Sequence, residues 1–217
     1  MHATEHIDIF YERQQEGVLS DVSREAERAY AHVSTQLKYD TAHRVPLILV
    51  GRDDDLPASA EGAIDLIRRS GDPSRNRVVI STESLEERPG IIVHELTHYF
   101  AFEIIPEASR VAPWLIEGLA EHERGMWDAD DVQRSRDAAA SGQIPAFDRL
   151  ADSDRHWAHA LFDFVAAEYG AEGIRQYLFV LRTRSRPTDA IPVAFGVSLG
   201  EFSRAFRAYV VTRFGEP

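Results

Sequence analysis

The chain has 217 residues, of which 44% are hydrophobic and none is cysteine, and its formal net charge is -12 at pH 7. That length suits one sizeable domain, and the lack of cysteine excludes disulfides, thiol catalysis and thiolate metal ligands. The negative charge argues against nucleic acid as the main partner, and no apolar run approaches the length of about 18 residues that a membrane-spanning helix needs.

The first part of the chain predicts a small sheet together with helices. Short stretches with apolar alternation or apolar runs, closed by turn residues, are typical of strands; they are residues 6–12, 44–50 and 76–82. Residues 18–39 have apolar side chains at helical spacing and predict a long amphipathic helix, which Ser20 or Asp21 would cap. Residues 53–73 predict a loop with some helical character.

From residue 89 onward the signals are nearly all helical. Pro89 suits the first turn of a helix that runs to about Glu103, and Pro113 suits the start of another that runs to about Arg124. Glycines at 170, 196 and 215 mark expected helix ends. The remaining predicted helices are at about 130–140, 155–169, 171–183, 187–195 and 199–214. The fold class is therefore α+β, a single domain over 1–217 with a sheet-containing part to about 105 and a mainly helical half over about 106–217, and the active site is expected in the cleft between these halves.

The first of the predicted helices after the sheet contains the stretch IIVHELTHYFAF, residues 91–102. His94 and His98 are four residues apart, so a helix places both imidazoles on one face, about one turn apart. Two rings so placed converge on an ion about 2 Å from each nitrogen. Glu95 lies beside them, where its carboxylate can reach a water on the ion without being a ligand. The pattern H-E-x-x-H therefore predicts a metal site with its own base.

A second stretch, PWLIEGLAEHERG at residues 113–125, carries Glu117 and Glu121 one helical turn apart. A histidine pair leaves a zinc site one protein ligand short, and Glu117 can supply it. Glu121 is placed to accept the free N–H of a ligating imidazole and so to fix the orientation of that ring. The neighbouring His122 is expected to face solvent.

HELTH followed after eighteen residues by Glu117 in WLIEGLAEH resembles the gluzincin superfamily of zinc metallopeptidases. The wider chain is similar to small bacterial peptidase-like domains of that superfamily, from the strand HIDIFYE to the helices of AEYGAEGIRQYL and AFGVSLGEFSRAFRAYV. The resemblance implies a zincin-like fold with Zn²⁺ held by His94, His98 and Glu117. It also implies that Glu95 is the catalytic base and that Glu121 supports a ligand.

The predicted function is hydrolysis of peptide bonds in a peptide or protein substrate, by attack of a zinc-bound water with Glu95 as base. The tetrahedral oxyanion needs a further donor. Gluzincins commonly use tyrosine or histidine, and related small domains often have a tyrosine near the start of the helix before YG. The corresponding segment here, DRHWAHALFDF, offers His156 and His159 instead. Both histidines are candidate catalytic donors, although they could equally line a helix.

Two other functions stay open at this point. One is a non-catalytic zinc-binding or peptide-binding module that keeps the peptidase fold, and the other is a hydrolase of a non-peptide amide or ester. Glu95 favours an enzyme, because a binding module has no use for a base beside the water. The start of the sequence lacks a signal peptide, which favours the cytoplasm unless a leader was removed. The oligomeric state is not predicted.

Overall fold

The computed structural model describes residues 1–52, 76–87, 89–105, 111–150, 155–184 and 186–215. The chain divides into two compact units, Met1–Ala108 and Ser109–Pro217. The first contains a four-stranded sheet with helices, and the second contains helices, so the fold class is α+β. The prediction for residues 53–73 lies outside the described residues.

The sheet of the first unit has the strand order β1-β2-β3-β4. These strands are β1 His2–Ala3, β2 Ile7–Phe10, β3 Val45–Val50 and β4 Val78–Ser81. β1 pairs with β2 antiparallel, and the pairs β2–β3 and β3–β4 are parallel. The three predicted strands are thus confirmed, each somewhat shorter than its apolar pattern. β1 was not predicted, because two residues are too few to show alternation.

Three helices accompany this sheet: α1 Leu19–Leu37, α2 Thr82–Glu87 and α3 Ile91–Ile104. The predicted inner face of α1 is buried and includes Val22, Ala26, Ala29, Tyr30, Val33 and Leu37. α1 packs against α3, with the rings of Tyr30 and Phe100 edge to face at 5.2 Å. Burial of this stripe fixes α3, the helix that carries HELTH, within the core of its unit.

The predicted caps at Ser20 and Asp21 are wrong. A 3₁₀ helix, Arg13–Val18, runs directly into α1, and Val18 occupies the N-cap position without a side-chain hydrogen bond. The 3₁₀ helix therefore leads directly into the first turn of α1, at the place where a side-chain cap was expected. The predicted start of α3 at Pro89 is also early, because Gly90, with φ 77°, is the residue before the first helical turn.

The second unit consists of α4 Pro113–Arg124, α5 Ala129–Ser141, α6 Arg155–Leu181, α7 Pro187–Phe195 and α8 Leu199–Phe214, with a 3₁₀ turn at Phe147–Arg149. These bounds confirm the predicted helices. The two helices predicted over 155–183 form one element that is interrupted at Gly170, where φ is 67° and ψ is -176°. That backbone conformation is essentially restricted to glycine.

Within the described residues, no helix is both long and apolar enough to cross a membrane.

Helices α4 and α6 approach each other closely at one point. A Cβ atom added to Gly118 would lie 2.2 Å from the Cβ and 2.5 Å from the carbonyl carbon of Ala158. Only hydrogen fits there, so the two backbones are in near contact. This contact sets the register of α4 against α6 and therefore determines which side chains of the two helices meet.

Helix α8 begins with a capping box at Ser198. The Ser198 hydroxyl accepts a hydrogen bond from the backbone N–H of Glu201 at 3.2 Å, and the Glu201 carboxylate accepts one from the backbone N–H of Ser198 at 2.9 Å. We expect Ser198→Ala to lower the free energy of unfolding by about 1 kcal/mol. Denaturant unfolding should show this loss, whereas Ser20→Ala, at an exposed position early in α1, should change stability little. An equal loss in both variants would contradict the capping role.

Candidate metal-binding residues

The two histidines of HELTH lie together on α3. Their Nε2 atoms are 3.1 Å apart, and their ring centroids are 4.7 Å apart. Both side chains are buried, with 9% of His94 and 4% of His98 exposed. Two nitrogens bound at 2.0–2.1 Å to one tetrahedral ion are about 3.3 Å apart, so this pair fits two ligands of a zinc ion.

The surroundings of the pair restrict its movement. Ile92, Leu96 and Phe100 on the same helix are fully buried, and a tightly packed core leaves few alternative rotamers. Glu95 is itself only 4% exposed. A buried carboxylate is costly unless polar groups or a cation compensate its charge. Glu95 is therefore largely removed from bulk water.

Tyr99 directly follows the second histidine of HELTH. Its side chain is buried. Burial raises the pKa of the Tyr99 phenol above its usual value, and the charge of Glu103 and the neighbouring tyrosines Tyr39 and Tyr30 raise it further. Tyr99 therefore serves the packing of α3.

Helix α4 carries the predicted third ligand and its neighbour. Glu117 and Glu121 are half-buried on this helix, and the Glu121 carboxylate accepts a hydrogen bond from Nη1 of Arg124 at 3.2 Å. The apolar side chains of the same helix are buried, namely Trp114, Leu115, Leu119 and Ala120. A partly covered carboxylate held on a packed helix is a suitable position for a metal ligand.

A second group of side chains that could hold a metal ion lies entirely within the second unit. It consists of His122, His159 and Asp163, and we call it the His–Asp cluster. His122 Nδ1 donates to Asp163 Oδ1 at 2.6 Å, and His159 Nε2 lies 3.6 Å from the same oxygen. One ligand atom from each residue lies within 4.8 Å of the others. The prediction that His122 faces solvent is wrong, because it is half-buried against α6.

Trp127 completes the surroundings of this cluster. Its indole Nε1–H donates to Asp163 Oδ2 at 3.1 Å. Its ring also stacks on the imidazole of His159, with centroids 4.1 Å apart and planes 18° from parallel. The two contacts fix the carboxylate and the imidazole at the same time.

Burial controls the charge of His159. Burial lowers the pKa of the His159 imidazole to about 4, and the charge of His122 lowers this pKa further. The negative charges of Asp163, Glu121 and Asp131 act in the opposite direction but do not outweigh burial. For Asp163, burial alone would raise the pKa, but the hydrogen bond from His122 and the neighbouring histidine charges outweigh burial and lower it. At neutral pH the cluster therefore contains an uncharged His159 and an ionised Asp163.

This shift predicts a pH dependence of stability. Between pH 6.5, the ordinary histidine pKa, and about 4, the unfolded chain binds a proton at His159 that the folded chain does not. Stability should therefore fall on acidification through this window, with a contribution of at most about 1.4 kcal/mol per pH unit. Denaturant unfolding of chelator-treated protein from pH 4 to 7.5 should show a shallower slope for His159→Phe, which keeps a ring against Trp127. Identical slopes would contradict the assigned pKa.

The two candidate oxyanion donors have different surroundings. His159 is 4% exposed and is held by the contacts of the His–Asp cluster, whereas His156 is half-buried and its ring lies 4.7 Å from that of Trp157. Sequence reasoning missed Asp163 and Trp127 altogether. One local signal was present, because His159 and Asp163 are four residues apart and share a helix face.

Comparisons with known proteins add no identification. No protein-family model matches the chain, and neither the curated proteins nor the solved structures searched include a significant match.

Proposed function

We propose that the protein is a zinc-dependent peptidase in which His94, His98 and Glu117 hold the ion and Glu95 is the general base. The observation that carries this proposal is the convergence of two buried imidazole nitrogens 3.1 Å apart, on the core helix that also carries a buried glutamate. Two sequence features support Glu117 as the third ligand: its spacing from HELTH and the resemblance of both stretches to gluzincins. The same resemblance is the support for a zincin-like fold.

A zinc ion bound there would polarise the scissile carbonyl and lower the pKa of a coordinated water. Glu95, as carboxylate, takes the proton of the attacking water and passes it to the departing amine. Glu121 supports the site by accepting the outer N–H of a ligating imidazole.

The oxyanion donor comes from the start of α6. His159 is engaged by Trp127 and Asp163, and its imidazole is uncharged at neutral pH. His156, one turn earlier and half-buried, is the better of the two candidates because it is not part of that cluster. An N–H donor placed at the oxyanion is worth about 10²–10³ in rate.

The substrate of this proposal is a peptide or protein, and water activation would serve a non-peptide amide or ester equally well. One feature favours a non-catalytic zinc-binding or peptide-binding module instead. The segment 154–164 has histidines where related domains often have tyrosine. Measurable hydrolysis of a peptide library that depends on Glu95 would exclude the module.

The test of the ligand set is the zinc content of the purified chain of residues 1–217. We expect Glu117→Ala to lose one equivalent of zinc per chain relative to wild type, because three protein ligands become two. Elemental analysis after dialysis measures this loss. Glu168→Ala, which removes an exposed carboxylate on α6, is the matched control and should retain the wild-type content. Full retention in Glu117→Ala would remove Glu117 from the ligand set.

A further inference from the structure

We propose that His122, His159 and Asp163 form a second metal site, which binds a divalent transition-metal ion such as Zn²⁺ independently of the HELTH histidines. The three residues lie within the second unit, on α4 and α6. The site is separate in composition from the proposed catalytic ligands, because it shares no residue with them.

The donor set and its spacing suit such an ion. Two imidazoles and one carboxylate are ligands that zinc accepts, with a remaining position for water. Ligand atoms on a tetrahedral zinc ion are about 3.3 Å apart. In the cluster the His122–Asp163 and His159–Asp163 separations are 2.6 Å and 3.6 Å, on either side of that value. All three ligand atoms lie within 4.8 Å of one another, so the two imidazoles would draw together around a bound ion.

The surrounding contacts hold the donors ready. Trp127 donates its indole N–H to Oδ2 of Asp163, which leaves Oδ1, the oxygen near both histidines, to face an ion. Stacking of Trp127 fixes the ring plane of His159. Outer contacts of this kind orient the ligands of established metal sites and strengthen binding.

The packing of the two helices explains why the donors meet. Gly118 and Ala158 are in near contact, His122 follows Gly118 by one helical turn, and His159 follows Ala158 directly. Donors on two helices in close contact lose little further freedom when an ion binds.

The hydrogen bond between His122 and Asp163 does not block an ion. It joins Nδ1 of His122 to Oδ1 of Asp163 at 2.6 Å. Imidazole exists in two tautomers, so a proton carried on Nε2 leaves the Nδ1 lone pair for a metal ion. The ion would then take the place of the hydrogen bond between the two side chains.

The test uses the chain of residues 1–217, stripped with a chelator, reloaded with Zn²⁺ alone and desalted. We expect two equivalents of zinc per chain in wild type, one in His94→Gln/His98→Gln, one in Asp163→Asn and none when these changes are combined. Asp148→Asn, an exposed aspartate, is the matched control for charge. Co²⁺ loading gives a second readout, since His94→Gln/His98→Gln should show visible ligand-field absorption that Asp163→Asn abolishes.

The outcomes separate this site from the proposed catalytic one. If His94→Gln/His98→Gln binds no metal, or binds one equivalent that Asp163→Asn does not remove, the His–Asp cluster is a hydrogen-bonded network only and the inference is overturned. If wild type binds one equivalent that Asp163→Asn alone removes, the second site stands and the HELTH site falls. Should Asp163→Asn fail to fold, a zinc-dependent rise in the melting temperature of His94→Gln/His98→Gln supports the site, and an unchanged temperature overturns it.

Discussion

Glu95→Gln should reduce peptide hydrolysis by about 10²–10⁴-fold while leaving zinc bound at the HELTH histidines. Glutamine has nearly the same shape as glutamate, so the buried position on α3 can accept it, but its amide cannot take a proton from water. The three proposed metal ligands are unchanged by the substitution. The two effects can be measured on one preparation, as turnover of internally quenched peptides and as zinc content by elemental analysis.

The matched control for this experiment is Glu103→Gln, later on the same helix and half-buried. It removes a carboxylate from α3 at a position to which we assign no chemistry, so we expect near wild-type turnover. Equal turnover by wild type and Glu95→Gln would remove Glu95 from the mechanism, whatever the zinc content. Equal losses in both variants would indicate a general effect of charge on α3.

Gly118→Ala should destabilise the second unit by about 3 kcal/mol or more. The added methyl group would lie 2.2 Å from the Cβ of Ala158 and 2.5 Å from its carbonyl carbon, distances that force α4 and α6 apart. Backbone atoms cannot move aside as a flexible side chain can. The loss in free energy of unfolding should therefore lie at the upper end of the range for overpacked cores. The midpoint of urea unfolding, followed by circular dichroism, measures it.

Gly17→Ala is the control for this substitution. Nothing lies within 4 Å of a Cβ added at Gly17, so the change should be neutral or slightly stabilising, because alanine restricts the unfolded chain. A Gly118→Ala protein as stable as wild type would show that α4 and α6 tolerate a wider separation. It would also weaken the role of this contact in bringing together the His–Asp cluster.

Helix bounds were predictable from sequence where the signals are local. Helices α4, α7 and α8 match their predicted limits, because proline at the start or glycine after the end acts within one turn. The cap of α1 was not predictable in this way. It depends on the 3₁₀ helix at Arg13–Val18, whose residues show no regular apolar period.

The same distinction applies to the candidate sites. The pairing of His94 with His98 follows from helical spacing alone, and their Nε2 atoms do lie 3.1 Å apart. The contact between His122 and Asp163 joins residues 41 apart in sequence. It depends on how closely α4 and α6 pack at Gly118, and a local sequence motif does not predict the distance between two helices.

Anomalous diffraction at the zinc absorption edge, from crystals of the protein grown with Zn²⁺, tests most directly whether His94, His98 and Glu117 hold one ion. We expect an anomalous peak about 2 Å from Nε2 of His94 and of His98, with a carboxylate oxygen of Glu117 as the third protein ligand. A zinc-loaded crystal with no peak beside the two imidazoles, or with a peak there whose coordination excludes Glu117, would contradict it.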